Sequence, residues 1–328
     1  MREFGLGKRY SHTALSSMVV AGAALLIPSL SSACSSCGCT LSSDWASQGI
    51  AAEPGVRMDL RYDYLNQSQL RGGTGTVDRA GISLPSEREI EEDTKNQYTT
   101  LGVDYNPNRN WGVNVQIPYI NRTHTTIAEG DTDISSSKTN KLGDVRVIGR
   151  YQGLSADGSI GIQAGLKLPT GAYKDNFNGG PQAGQPLDRG LQAGTGTTDL
   201  LVGLYNFGSL NRDWDYFTQG MVQQPLSAKD GYKTGLSLNV NFGVRYMSFE
   251  GFIPQLQING KTARKDSGEN ADVDNSGGTL VYLSPGVSAG VTKNVSVYGF
   301  VQAPLYQNVN GYQLAPRYTA SLGLRYSM

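Results

Sequence analysis

Tyr318-Thr319-Ala320-Ser321-Leu322-Gly323-Leu324-Arg325-Tyr326-Ser327-Met328 alternates without a break: even-numbered positions are apolar or aromatic, odd-numbered ones small, polar or charged. Successive side chains of a strand point to opposite faces, so this stretch has one greasy face and one wet face. Similar stretches recur from about Val56 onward, joined by brief turns and long polar segments in turn. Two folds use such strands. In a soluble sandwich the greasy face points into a core, whereas in a membrane barrel it points to lipid and the wet face lines a lumen.

The N-terminal region and the composition favour the barrel. Arg2, Lys8 and Arg9 precede an apolar run from Met18 to Leu30, followed by small residues at Ser31 and Ala33. This is the layout of a secretory signal peptide over 1–33, cut after Ala33. No later run approaches the roughly 20 apolar residues that a spanning helix needs. A membrane-bound mature chain must then cross as strands, and lipid leaves an open sheet edge unsatisfied unless the sheet closes. The 42 Gly suit tight turns and a crowded lumen, and the 18 Tyr, 8 Phe and 3 Trp suit interfacial girdles. Basic and acidic residues balance at 28 each, so no nucleic-acid partner is expected.

The alternation predicts strands near 56–66, 98–106, 111–121, 142–151, 159–168, 197–206, 214–224, 236–246, 252–260, 279–291, 295–305 and 312–326. The fold class expected is all-β, a transmembrane antiparallel up-and-down barrel of about 12 strands, an even number as single-chain bacterial barrels have. Segments such as Asn106-Pro107-Asn108-Arg109-Asn110 and Leu154-Ser155-Ala156-Asp157-Gly158 are tight turns rich in Asn, Asp, Gly and Pro. The stretches 67–97, 122–141, 169–196 and 261–278 read as long loops, in strict alternation with the turns. Short turns belong to the periplasm in such barrels, which puts both chain ends there. Tyr62, Tyr64, Tyr98, Tyr105, Trp111, Tyr119, Tyr151, Tyr205, Trp214, Phe242, Tyr246, Phe252 and Tyr326 fall toward strand ends, where an interfacial belt needs them.

With the apolar partners on the lipid side, the lumen receives Arg57, Asp59, Arg61 and Asp63, then Asp144, Arg146 and Arg150. Gln163, Lys167, Asn239, Asn241, Arg245, Gln255, Gln257 and Arg325 complete the set. Two readings stay open: the charges pair across neighbouring strands and hold the wall, or part of them forms a constriction that screens a solute. The loop 169–196, which carries Phe177 and is broken at Gly179-Gly180-Pro181 and Gly184-Gln185-Pro186, is long enough to fold inward and plug or gate a pore, and fits a disordered external loop equally well.

Cys34, Cys37 and Cys39 sit together just after the predicted cut, in an N-terminal periplasmic segment over 34–55 that precedes the barrel over 56–328. Three chemistries fit C-x-x-C-x-C: acylation of Cys34, a disulfide with one thiol left over, or a soft metal such as Cu(I) or Zn. No other cofactor is expected. His12 leaves with the leader, so His124 is the remaining histidine; Thr126 stands two residues after it, and no catalytic set assembles around it. Asp272-Val273-Asp274-Asn275-Ser276-Gly277 imitates the opening of a calcium loop but has Leu283 at the twelfth position, and reads as a surface turn.

Lys141-Leu142-Gly143-Asp144-Val145-Arg146, Leu166-Lys167-Leu168-Pro169-Thr170-Gly171 and Leu191-Gln192-Ala193-Gly194-Thr195-Gly196-Thr197-Thr198-Asp199-Leu200 follow one another in the order seen in the phenol meta-pathway-type outer-membrane transporter family, which this chain resembles over about 141–205. The resemblance implies a barrel in the outer membrane of a Gram-negative bacterium that takes up small solutes, hydrophobic or aromatic compounds among them. Since Pro cannot continue a ladder, Pro169-Thr170-Gly171 would end a strand at the outer rim, with Gly194 and Gly196 giving a tight re-entry and Asp199 facing the lumen near that rim. These are candidates for a mouth site, and turn chemistry alone also explains each. The function expected is passive passage of such solutes through the barrel, with outer-membrane lipid around it and no enzymatic activity. The alternative is a structural barrel holding a periplasmic redox or metal-binding protein through Cys34, Cys37 and Cys39.

Overall fold

The computed structural model describes residues 53–328; the predicted leader and the three cysteines lie outside the described residues. Among the described residues no helix is long and apolar enough to cross a membrane. The strands are β1 (Gly55–Gly73), β2 (Gly75–Thr76), β3 (Ile90–Asn106), β4 (Trp111–Ile127), β5 (Ser135–Leu142), β6 (Arg146–Tyr151), β7 (Ile160–Lys167), β8 (Asp199–Ser209), β9 (Trp214–Pro225), β10 (Ser237–Tyr246), β11 (Phe252–Ala263), β12 (Gly278–Gly290) and β13 (Val295–Ser327). Neighbours pair antiparallel in the order β1–β3–β4–β6–β7–β8–β9–β10–β11–β12–β13, and β13 pairs back onto β1, so the sheet is closed. β2 and β5 lie off this ring, on β1 and on the far part of β4. Long β13 is a hairpin in its own right. Its residues 296–309 pair with β12 and 309–327 with β1, and the Ser327 amide donates to the Asn294 carbonyl. The reversal falls at Asn310-Gly311, where Gly311 adopts a φ of 52° that favours glycine. Counting its two arms, the wall is crossed about twelve times, as the sequence predicts.

The register turns alternation into two surfaces. Leu60 stands opposite Leu101 on one side and Leu324 on the other, and all three are exposed. Asp63 stands opposite Tyr98 and Ser321, and all three are buried. Around the ring Val113, Ile162, Leu204, Val240, Ile258 and Val287 repeat the outward pattern. In water, leaving each of these exposed would forgo about 1.5–3 kcal/mol; against lipid that cost disappears, and a polar interior with an apolar exterior is the stable arrangement. The molecule is a closed transmembrane β-barrel.

Aromatic residues gather at the short-turn end. Trp111 meets Tyr151 at 4.7 Å between ring centroids, and Trp214, Tyr246, Phe249 and Phe252 form a chain with spacings of 5.1, 5.0 and 5.0 Å. Tyr98 and Tyr205 depart from the expected belt and point inward, because strand parity outranks residue type. Tyr205 shares a face with Asp199 and Gly203, and Tyr98 with Thr100 and Asp104.

The other end is also more ordered than the sequence predicts. β1, β3, β4 and β5 run through much of the expected loops 67–97 and 122–141. The alternation persists there in polar residues, with Thr94, Asn96, Arg122, His124, Thr126, Ser135 and Ser137 buried. A strand wall standing clear of lipid needs no greasy face, so hydropathy does not mark it. The alternation of short and long connections is not strict either, since the two-residue reversal at Asn310-Gly311 lies at the long-loop end.

Candidate functional site

The short-turn half of the lumen is an ion-pair layer. Asp104 on β3 accepts from Arg150 Nη1 at 2.5 Å and Nη2 at 3.0 Å, from Arg57 at 3.3 Å and from Asn114 at 3.3 Å. Asp59 accepts from the Tyr298 hydroxyl at 2.8 Å and lies 3.7 Å from Arg325. Arg61 donates to Asp63 at 2.8 Å, which also accepts from Ser321 at 2.6 Å, and Arg245 reaches Asp215 at 2.9 Å. Thus Arg57, Asp59, Arg61, Asp63, Arg150, Arg245 and Arg325 all face inward, each with an opposite charge.

Further along, the three sequence motifs become one junction. Asp144, in the bend between β5 and β6, accepts from the Gly171 amide at 3.0 Å, from the Thr195 amide and hydroxyl at 3.0 Å each, and from Lys167 Nζ at 2.8 Å. Lys167 also donates to Thr195 Oγ1 and to the Thr197 carbonyl, and lies 3.4 Å from Asp199. Asp199 in turn accepts from Thr197 at 2.8 Å and Gln223 at 2.5 Å. The backbone passes so closely that a Cβ on Gly171 would lie 2.8 Å from Gly194 Cα and 2.9 Å from the Gly143 carbonyl carbon. That approach accounts for a glycine in each motif.

This junction turns the loop 168–198 inward. Arg122 on β4 donates to the carbonyls of Gly190 and Gln192, to the Tyr98 hydroxyl at 2.8 Å and to Asn96. Ala193 packs with Leu65, Tyr98 and Ile120, and Leu191 with Phe177 and Leu187. Of the two readings open for 169–196, the inward turn is the arrangement present.

Between the ion-pair layer and the turned loop lies a cavity of about 260 Å³. Arg61, Asp144, Arg146 and Lys167, all anticipated from the sequence, line it. So do Arg122, Arg189 and Lys261, which sequence reasoning missed. Lys261 shares parity with Gln255 and Gln257 and was findable had β11 been carried past Gly260; Asp104 was findable by the same parity on β3. Arg189 comes from a loop, and no periodicity announces it. Pro118, Ile120, Ile148 and Met221 give the cavity an apolar side.

At the mouth, Glu89, Glu91 and Asp188 surround a smaller cavity with Asp266 and Asp272. Glu91 accepts from the Leu314 amide at 3.0 Å. Burial, then the charge of Asp188, pushes the Glu89 carboxyl up to about 8. The Asp188 carboxyl is pushed upward by partial desolvation and then by the charge of Asp272, while its side chain stays exposed at the mouth. His124 is buried nearby, its Nδ1 2.8 Å from Thr94 Oγ1 and its ring 6.4 Å from that of Phe177. Thr126 donates to the Ile90 carbonyl. Asp272 accepts from the Asn275 amide at 3.2 Å, closing a surface turn.

No family model and no curated protein matches the chain. Among solved structures, an outer membrane channel from Pseudomonas putida F1 is similar with a TM-score of 0.63 at 13% identity, over 85% of this chain and 97% of that one. The transport unit of the autotransporter AIDA-I from Escherichia coli is similar with a TM-score of 0.51 at 12% identity, over 88% of this chain and 93% of that one. At these identities the likeness is one of fold.

Proposed function

We propose that the barrel is an outer-membrane channel through which small solutes pass without chemical change, both chain ends lying on the periplasmic side. One observation carries this reading. A closed wall, apolar toward lipid, encloses a polar-lined cavity of about 260 Å³ that its own loop narrows. The convergence of the three motifs on Asp144 supports kinship with the phenol meta-pathway-type transporters, and with it small hydrophobic or aromatic solutes. The scaffold reading rests on Cys34, Cys37 and Cys39, outside the described residues, and no observation favours it.

Single-channel recording of the purified protein in a planar bilayer tests the proposal. Discrete openings that persist when the three cysteines are replaced by serine are expected. A folded barrel that stays silent, and across which a small neutral solute does not equilibrate in liposomes, overturns it.

A further inference from the structure

We propose that the lumen cavity is a binding site for a small organic acid, its carboxylate held by Arg146, Arg189 and Lys261 and its apolar body resting on Pro118, Ile148 and Met221. The site deepens the channel reading by naming a solute class, and it rests on that reading for the solute's route.

The cations of the lumen fall into two kinds. Those of the short-turn layer each have an aspartate: Arg57 and Arg150 share Asp104, Arg61 has Asp63, Arg245 has Asp215 and Arg325 has Asp59. Lys167, on the cavity wall, has both Asp144 and Asp199. The other cavity cations have no carboxylate within 4 Å among the described residues. Arg122 is held by neutral acceptors alone, at 3% exposure. Arg146 donates to Gln223 at 3.3 Å. Arg189 lies over the rings of Tyr173 and Tyr232 at 4.6 and 4.9 Å, donates to the Thr195 carbonyl at 2.7 Å, and leaves its Nε without a hydrogen-bond partner. Lys261, at 6% exposure, has no carboxylate within 4 Å among the described residues, and the opposite charge it feels is the more distant Asp266 on the same wall.

The two acids on the wall are already engaged. Asp144 is taken up by Lys167, Gly171 and Thr195, and Asp266 by the Tyr232 hydroxyl at 2.7 Å and the Gly235 amide at 2.8 Å. The cavity therefore carries a surplus of positive charge, and charge held away from bulk water without a counter-charge in contact is unfavourable. Thr234 Oγ1, buried in the same wall without a hydrogen-bond partner, offers a further donor. An entering carboxylate offsets the surplus and accepts from these groups through charge-assisted hydrogen bonds. The apolar side distinguishes an organic acid from a bare inorganic anion, and the volume limits the body to about one ring, below the roughly 300–1,000 Å³ of drug-sized pockets.

Calorimetric titration of the purified protein in detergent with benzoate, and with benzyl alcohol as its neutral counterpart, tests the proposal. Benzoate is expected to bind at least about tenfold more tightly than benzyl alcohol, to weaken as salt rises, and to lose about tenfold or more in the Arg146→Gln/Lys261→Gln variant. Lys261→Arg is expected to retain most of the affinity. Equal binding of the two probes overturns the proposal, as does unchanged benzoate affinity in the double variant. Competition by sulfate as strong as by benzoate also overturns it, reducing the site to a general anion well. Should the double variant fail to fold, Lys261→Gln alone and the two-probe comparison on the unaltered protein decide. A barrel that binds benzoate yet never conducts sinks the channel reading and keeps the site; one that conducts but ignores benzoate does the reverse.

Discussion

The Tyr205 ring occupies the space of the side chain that Gly161 lacks: the two residues face each other across β7 and β8, and a Cβ on Gly161 would run into the ring. Phe217 stands in the same relation to Gly243, Phe300 to Gly286 and Tyr298 to Gly323. At these four places the inward ring fills the room left by a missing side chain, and covering a strand glycine restores packing that the glycine forfeits. These pairs lie in the half of the lumen that also holds the ion-pair layer. Shape complementarity and charge thus fix the wall there together, while the cavity opens beyond them.

Gly161→Ala is expected to lower stability by about 1–3 kcal/mol, the usual cost of forcing atoms into a packed interior. In a Tyr205→Ala background the same change is expected to cost far less, since the obstructing ring is gone. Equilibrium urea unfolding in lipid vesicles, followed by tryptophan fluorescence, reads both. Equal penalties in the two backgrounds would show that the ring and the glycine do not depend on one another.

Asp104→Asn is the corresponding test of the charge layer. Arg150, whose side chain is 2% exposed, would lose its bidentate partner and Arg57 the one carboxylate within 4 Å among the described residues. Removing one member of a buried pair costs about 3–5 kcal/mol, whereas replacing both by apolar groups of similar size is often close to neutral. Asp104→Leu with Arg150→Met is therefore expected to unfold at a higher urea concentration than Asp104→Asn. The reverse order would place the charges outside the determinants of wall stability.

Asp144→Ala removes the acceptor for the Gly171 and Thr195 amides and one of the two carboxylates on Lys167. The strands carry their own ladder, so barrel unfolding is expected to shift by about 1–3 kcal/mol. The loop 168–198, by contrast, loses its tether to the wall. Open-channel current noise is expected to rise and mean conductance to increase; unaltered noise would mean that the loop is held by Arg122 and its apolar contacts instead.

How much of this was legible depends on where chemistry varied along a strand. In β1, acidic and basic residues alternate with Met58, Leu60 and Tyr62, so facing and lumen membership follow directly. In β8, Leu201 and Tyr205 are as apolar as their outward neighbours Leu200, Val202 and Leu204, and the inner face is marked by Asp199 alone. Arg122 was hidden because its strand continues beyond the apolar band, where hydropathy stops reporting pairing. The meeting of Gly143, Gly171 and Gly194 is a fact of three dimensions, and the separated motifs give its members without giving the contact. The lumen's charge pairing was left open by the sequence because opposite charges on one face pair or stay apart according to register, which parity alone does not supply.

Glu89 and Asp188 make the mouth sensitive to pH. Glu89 lies just before β3, Asp188 in the inward loop, and Glu91, Asp266, Asp272 and Arg189 line the same cavity; Arg79 lies 3.7 Å from Glu92 close by. Burial and the neighbouring acids raise the Glu89 carboxyl to about 8, so the docked loop binds a proton that the undocked one, titrating near 4, gives up. Docking is then fully supported below the ordinary carboxylate range and weakens progressively as pH climbs toward 8. Hydrogen–deuterium exchange over 185–191, corrected for intrinsic rates, is expected to be faster at pH 9 than at pH 5.5. Glu89→Gln, which stays neutral at both, is expected to flatten the difference. A pH dependence that survives this substitution would move the switch to Asp188 or Glu91 and away from Glu89.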